Sequence, residues 1–280
     1  MENYHTHITS DHKWFDLKLK EVWRYRDLIW QFTKRSFTVT YKQTVLGPAW
    51  LFINPIITSL IFTFVFGGIA GMSTDGVPQM AFYLCGNALW TLFSSCLTKN
   101  ANTFTANAAV FGKVYFPRLT TPISNVLAAF IQFGIQFIIV AAFLIVYILK
   151  GQVTPNYVFL WLVPLVLIHL GIMGMGLGII ISSMTTKYRD LTVLVGFGVQ
   201  LLMYATPVVY PLSQLKEGAM KTIILLNPVT APMELYRYAL LGKGNIDLFS
   251  LIISVVFTFL VTVFGIMVFN KVERNFMDTV

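Results

Sequence analysis

Six stretches of this chain are apolar and free of Asp, Glu, Lys and Arg: 49–68, 80–97, 123–149, 157–184, 191–210 and 248–269. They run from 18 to 28 residues. A helix rises ~1.5 Å per residue, so ~20 residues cross the ~30 Å hydrocarbon core of a bilayer. In lipid a backbone must satisfy its own polar groups, which a helix does alone. The predicted fold is an all-α polytopic membrane protein with six transmembrane helices. The two longest stretches, 123–149 and 157–184, are expected to tilt or protrude.

Composition closes the other routes. Hydrophobic residues make up 56% and charged residues 11%, against roughly 25% charged in an ordinary soluble chain. The mean hydropathy is +0.70. A soluble enzyme, a nucleic-acid module and a disordered tail are excluded. The two cysteines, Cys85 and Cys96, sit in an apolar stretch, which implies neither a disulfide framework nor a metal site.

The net charge of +8 reflects topology rather than nucleic acid. Of the 20 Lys and Arg residues, 15 fall before the first stretch, between the second and third, between the fourth and fifth, or after the last. The other five are Lys150, Lys216, Lys221, Arg237 and Lys243. Cytoplasmic segments carry the excess of Lys and Arg, so both termini are placed in the cytoplasm.

No cleavable signal is visible in 1–44, which is polar and lacks a short apolar core. His5, His7 and His12 offer a metal tract, but a loose polar tail is the simpler reading. From Trp14 to about Trp30 the pattern is an amphipathic helix. Phe15, Leu19, Val22, Trp23, Ile29 and Trp30 share one face, with Arg26 intruding. It fits a helix lying at the membrane surface, or one packed on a soluble partner.

The loop 211–247 holds two short helical patterns around Asn227-Pro228, a dipeptide that favours a turn. Glu217 and Lys221 are spaced i,i+4, and Glu234 and Arg237 i,i+3, so each pair can meet on its helix. Neither arm is long enough to span. The expectation is an outer re-entrant helical hairpin, with an ordinary surface loop as the alternative.

The spans lack the ionisable residues that a coupled carrier uses. His169 is their one imidazole, and helix packing is its plainer role. No phosphate-binding loop is present either. Neither Gly112-Lys113 nor Gly242-Lys243 is followed by Ser or Thr. If ATP drives transport, the ATPase is a separate chain.

The spans carry polar residues at helical spacing instead. These are Asn54 and Thr58 beneath Trp50, then Asn87, Thr91, Ser94, Ser95 and Thr98, then Ser124, Gln132 and Gln136, then Gln200 and Tyr204. Such stripes can line a path for a hydroxyl-rich substrate, or serve as interhelical hydrogen bonds worth ~0.6–2 kcal/mol each. Gly171, Gly174, Gly176 and Gly178 in the fourth stretch point to close helix packing. In the loop 99–121, a short helix ending at Pro117 would expose Val110, Phe111, Val114 and Tyr115. That apolar set fits a partner's groove, or belongs to a simple connector.

These segments, in this order, resemble the transmembrane subunit of ABC-2 type transporters, nearest to the exporters of polysaccharides and polyol phosphates such as O-antigen and teichoic acid. The resemblance rests on Tyr41-Lys-Gln-Thr-Val-Leu-Gly-Pro-Ala-Trp50, Phe111-Gly-Lys-Val-Tyr-Phe-Pro-Arg118 and Lys187-Tyr-Arg-Asp190. It rests further on Tyr204-Ala-Thr-Pro-Val-Val-Tyr-Pro211, Asn227-Pro-Val-Thr230, Glu234-Leu-Tyr-Arg237 and Glu273-Arg-Asn-Phe-Met-Asp278. It covers the chain from about Trp14 onward. It implies three parts: a cytoplasmic tail and interface helix in 1–44, the transmembrane domain in 45–272, and a cytoplasmic tail in 273–280.

The resemblance also implies a role and its residues. The chain would be a multi-pass permease of the bacterial inner membrane, exporting a lipid-linked glycan. It would form a homodimer bound to two copies of a separate ABC ATPase, with ATP and Mg on that partner and no cofactor, metal or catalytic residue on this chain. No nucleic acid is implied; membrane lipids surround it. Val110, Phe111, Gly112, Lys113, Tyr115, Phe116 and Arg118 would form the coupling helix against the ATPase. ATP binding there would bias an existing equilibrium between channel states. Trp50, Asn54, Thr58, Asn87, Thr91, Ser94, Gln200 and Tyr204 are the candidate substrate path. Asn227, Pro228, Glu234 and Arg237 mark the outer hairpin. The competing readings are an ABC-2 exporter of a small lipid or drug, and an ATP-independent channel or carrier.

Overall fold

A computed structural model describes residues 19–42, 44–186, 188 and 190–279, without the side chains of 19, 41 and 273–279. The tail 1–12, the opening of the amphipathic segment at Trp14, and Lys187 and Arg189 lie outside the described residues. The described chain is helical from end to end. The amphipathic segment forms α1 (Leu19–Arg24) and α2 (Arg26–Tyr41), parted at Tyr25. It therefore extends well past Trp30. The expected apolar face is split. Val22, Ile29 and Thr33 are buried, whereas Trp23 and Trp30 stay exposed. The Thr33 hydroxyl donates to the Ser124 carbonyl, which ties the buried face to the third span.

The first span begins with a 3-10 turn, continues as α3 (Trp50–Phe62) and closes with the π-helical segment Thr63–Ile69. Pro55 lies inside α3, where it withholds one backbone donor. Next come α4 (Gln79–Ala101), α5 (Thr103–Phe111), α6 (Thr120–Leu149) and α7 (Val163–Thr185). The centre of the bundle is α4, which packs on α7, α6, α3, α10 (Thr230–Leu241) and α8 (Leu191–Tyr204).

The glycines of α7 admit their neighbours as expected. A Cβ on Gly174 would lie 2.8 Å from Cys96 Cβ of α4, and one on Gly178 2.6 Å from the Leu97 carbonyl oxygen. Gly176 gives the same room to Thr262 of α11 (Leu248–Thr279). His169 is a packing residue here. Its Nε2 lies 2.8 Å from Ser254 Oγ of α11, and Ser254 donates to the Pro228 carbonyl.

Among the described residues, five helices are long and apolar enough to cross a membrane: Gly47–Ile69, Gln79–Ala101, Thr120–Leu149, Leu160–Thr185 and Leu248–Val272. The stretch 191–210, expected as a sixth span, gives only the 14-residue α8. At ~1.5 Å per residue that is roughly 21 Å, short of the ~30 Å core. Pro207 explains the stop. It disfavours helix at Thr206 and cannot donate its own backbone bond, so the chain turns through 205–210. At the other end, α11 runs on to Thr279, so the tail expected from residue 273 continues the last helix.

Candidate functional site

Sequence reasoning marks three places, and the structure treats each differently. Along α4 beyond Met80, the residues that are not buried are Thr91, Ser94, Ser95, Thr98 and Lys99, all polar. A helix enclosed on its other faces thus opens along one line of hydroxyls. Each of three hydroxyls donates to its own helix: Thr91 to the Asn87 carbonyl at 2.8 Å, Ser94 to Thr91 at 3.3 Å and Thr98 to Ser94 at 2.7 Å. Their donors are satisfied, and their oxygens keep lone pairs to accept with.

Asn87 does not belong to this open line, because it is buried. Trp50 and Asn54 on α3 are exposed and Thr58 is half-buried. Gln200 and Tyr204 are exposed on α8. Because α3 and α8 both pack on α4, the uncovered polar residues sit on neighbouring helices. Of the third-span set, Ser124 and Gln136 are buried, which fits packing.

The second place is the segment after α5. The helix stops at Phe111, well before Pro117, and a turn follows through Gly112 and Lys113. Val114 and Tyr115 are 59% and 75% exposed, as their pattern suggested. Phe111 is not, which corrects the expected exposed set, and Phe116 of the same coupling segment is buried too. The Phe111 ring packs 6.1 Å from Phe104 and 5.7 Å from Phe116. Phe104 stacks on Phe269 of α11 at 4.6 Å, and its backbone N–H donates to Ser182 of α7. Sequence spacing could not reveal this, because the cluster joins segments far apart in the chain. Val110 is half-buried beside it, and Arg118 lies over the Phe111 ring at 5.6 Å.

The third place is the hairpin. Two helices, α9 (Ala219–Leu226) and α10, meet at Asn227-Pro228 as expected. Lys221 pairs with Glu217, and Arg237 with Glu234 at 3.3 Å. The position of α10 is the surprise, since it lies inside the bundle. Arg237 is 1% exposed, with its guanidinium 3.8 Å from the centre of the Phe82 ring. It donates to the Pro207 carbonyl and, at 2.6 Å, to the Val208 carbonyl. Asn227 donates to the Ala205 carbonyl at 3.0 Å and Glu234 accepts from the Asn245 amide. The hairpin thus holds the segment where α8 unwinds.

Among the described residues, no group of three or more His, Cys, Asp or Glu could hold a metal. The family model for the ABC-2 type transporter matches residues 27–241. Two proteins of Klebsiella pneumoniae named O-antigen export system permease protein RfbA are each 30% identical, over 90% of this chain and 94% of their own length. A protein of the same name from Myxococcus xanthus is 27% identical over 78% of this chain and 82% of its own.

Proposed function

The chain belongs to the ABC-2 type transporter family, and from that membership we propose that it is the permease of an ATP-driven exporter. Its cargo is a lipid-linked polysaccharide of the O-antigen kind, carried across the inner membrane. The relatives' printed role supports that cargo class. In this reading the chain is the transport subunit, and a separate ATPase binds ATP and Mg. Two copies of the chain stand on two copies of that ATPase. Both termini are cytoplasmic, and α8 with its unwound continuation makes the sixth, short crossing.

The observation that carries the proposal is the hydroxyl line on α4. A half-buried row of Thr and Ser on an otherwise buried helix is out of place against lipid tails and fits a hydrated, polar cargo. The four hydroxyls are neutral, and Lys99 closes the line at one end. A long chain that meets weak acceptors along the hydroxyls is not held fast at any one of them.

The test is a strain lacking this chain. Lipid-linked glycan is expected to accumulate inside, with drug sensitivity unchanged. Normal surface glycan in that strain would sink the proposal. Thr91→Trp, which puts bulk on the open line, is expected to stop export while the protein still folds and holds its ATPase. Wild-type export by that variant would leave the line a packing feature. The buried Asn87 is unsuited to the same test, since bulk there disturbs the core.

A further inference from the structure

The outer end of the bundle holds a polar recess separate from the α4 line. It measures about 850 Å³ and is lined by Thr63, by residues 73, 74 and 76–80, and by Tyr147, Gly151 and Gln152. That volume falls within the ~300–1,000 Å³ of ordinary ligand sites. None of its lining residues is charged. Its polar groups are the Gln79 and Gln152 amides, the Tyr147 phenol, and hydroxyls of Thr63, Ser73 and Thr74. Among the described residues neither amide side chain is hydrogen-bonded.

Each wall is built by a local device. Gln152 stands beside Tyr147 because α6 ends in a Schellman turn. Gly151 takes φ 68°, and the Gln152 N–H donates to the Tyr147 carbonyl at 2.9 Å. Gln79 fits because Gly67 faces it, where a Cβ would lie 2.0 Å from Gln79 Oε1. The rim is pinned to the turn after α8. Gln214 donates to the Ser73 carbonyl at 2.9 Å, and Ser213 to Asp75 at 2.6 Å.

The geometry points to this recess as a subsite for a neutral stretch of glycan at the outer end of the permease. A carboxamide both donates and accepts, so two of them complement a sugar's adjacent hydroxyls. Tyr147 adds an apolar ring with a polar tip, a surface on which a sugar face can rest. The absence of charge in the lining disfavours an ionic ligand, and an open recess suits a segment of a longer chain. The inference rests on the glycan reading above and names the residues that receive the chain on the outer side.

A thiol reporter tests it. The chain's two cysteines, Cys85 and Cys96, are both fully buried. Ser73→Cys therefore places one accessible thiol on the rim and leaves the amides intact. Spheroplasts carrying the full exporter are treated with a membrane-impermeant maleimide, in a strain making the glycan and in one blocked in its synthesis. If glycan fills the recess nine-tenths of the time, the thiol reacts about tenfold more slowly in the producing strain.

Ser73→Cys with Gln79→Ala and Gln152→Ala is expected to lose that protection. Lys216→Cys, exposed elsewhere on the outer side, reports general shielding and is expected to react equally in both strains. Equal rates at the rim thiol in a strain that demonstrably exports glycan overturn the subsite and leave the exporter reading intact. Protection that survives loss of both amides, or that is already complete without glycan, also overturns it. Failure of the deletion strain to accumulate lipid-linked glycan is a separate result, and it removes the premise.

Discussion

Arg237 is where the hairpin end of the bundle converges. Its partners are the Pro207 and Val208 carbonyls, Glu234 and the Phe82 ring. Gly86 of α4 makes room for it, since a Cβ there would lie 2.8 Å from the guanidinium and 2.9 Å from the Val208 carbonyl oxygen. The i,i+3 spacing announced the pair with Glu234. The carbonyl partners lie 29 and 30 residues away, beyond any local periodicity, and the charge count had placed Arg237 in an outer loop. Arg237→Ala leaves a buried carboxylate unpaired, which costs about 3–5 kcal/mol. Lys cannot reproduce the two-armed grip, so Arg237→Lys is expected to melt nearly as early as the alanine variant in detergent. A wild-type melting temperature for either would refute this role. Asp247 gives a milder case. It precedes α11 and accepts from the Ser250 hydroxyl and from the Ser250 and Phe249 amides, which hold its carboxylate below its ordinary range. Its contribution is therefore complete above the unfolded value of ~4 and fades as pH falls through the depressed folded one. Asp247→Ala is expected to lose about 1 kcal/mol at neutral pH, a gap that closes in acid unfolding series. A gap that stays constant with pH would count against the cap.

At the scale of elements, the glycine helix was the most legible part. Four glycines in eight residues of one apolar stretch predict close approach, and α7 meets α4 and α11 through them. Gly178→Ala puts a methyl 2.5 Å from Asn100 Cβ and 2.6 Å from the Leu97 carbonyl oxygen. Helix backbone cannot yield like a flexible side chain, so overpacking is expected to cost about 1–3 kcal/mol. Gly134 on α6, with open space around it, is the control whose alanine variant melts no earlier than the wild type, since alanine favours helix by about 0.5–1 kcal/mol. Equal melting of both variants would show that the crossing is loose. The length of α8 was less legible. Hydropathy ran unbroken through Pro207 to Tyr210, and apolarity alone cannot say where a backbone stops being helical. The prolines carried that information, and they set the end of the helix. The split face of α1 and α2 has a similar cause. A helical wheel sorts polar from apolar but not which apolar side chains a neighbouring span covers. Val22, Ile29 and Thr33 are buried, with α6 packed on α2, while Trp23 and Trp30 are left out.

At the scale of the whole molecule, the proposed coupling asks how a push on the segment after α5 reaches the spans. Phe104, Phe111, Phe116, Ile179 and Phe269 form one buried cluster that joins α5 to α7 and α11. Packed interiors transmit displacement rather than absorb it, so α5 moves with those two spans. Beside the cluster, Val114 and Tyr115 lie bare, and they are the contact proposed for the ATPase. The two layers have different consequences. Val114→Ser with Tyr115→Ser alters surface alone and is expected to shift stability by no more than about 0.5 kcal/mol. It should nonetheless reduce recovery of the ATPase on a tagged permease and reduce export with it. Phe111→Ala removes a core ring and is expected to cost about 3–5 kcal/mol, so its loss of export comes with early melting. Measuring co-purification, export and melting on both variants and the wild type separates contact from scaffold. If the surface pair keeps its ATPase and its export, Val114 and Tyr115 are not the docking point, and the partner must sit elsewhere on the cytoplasmic side.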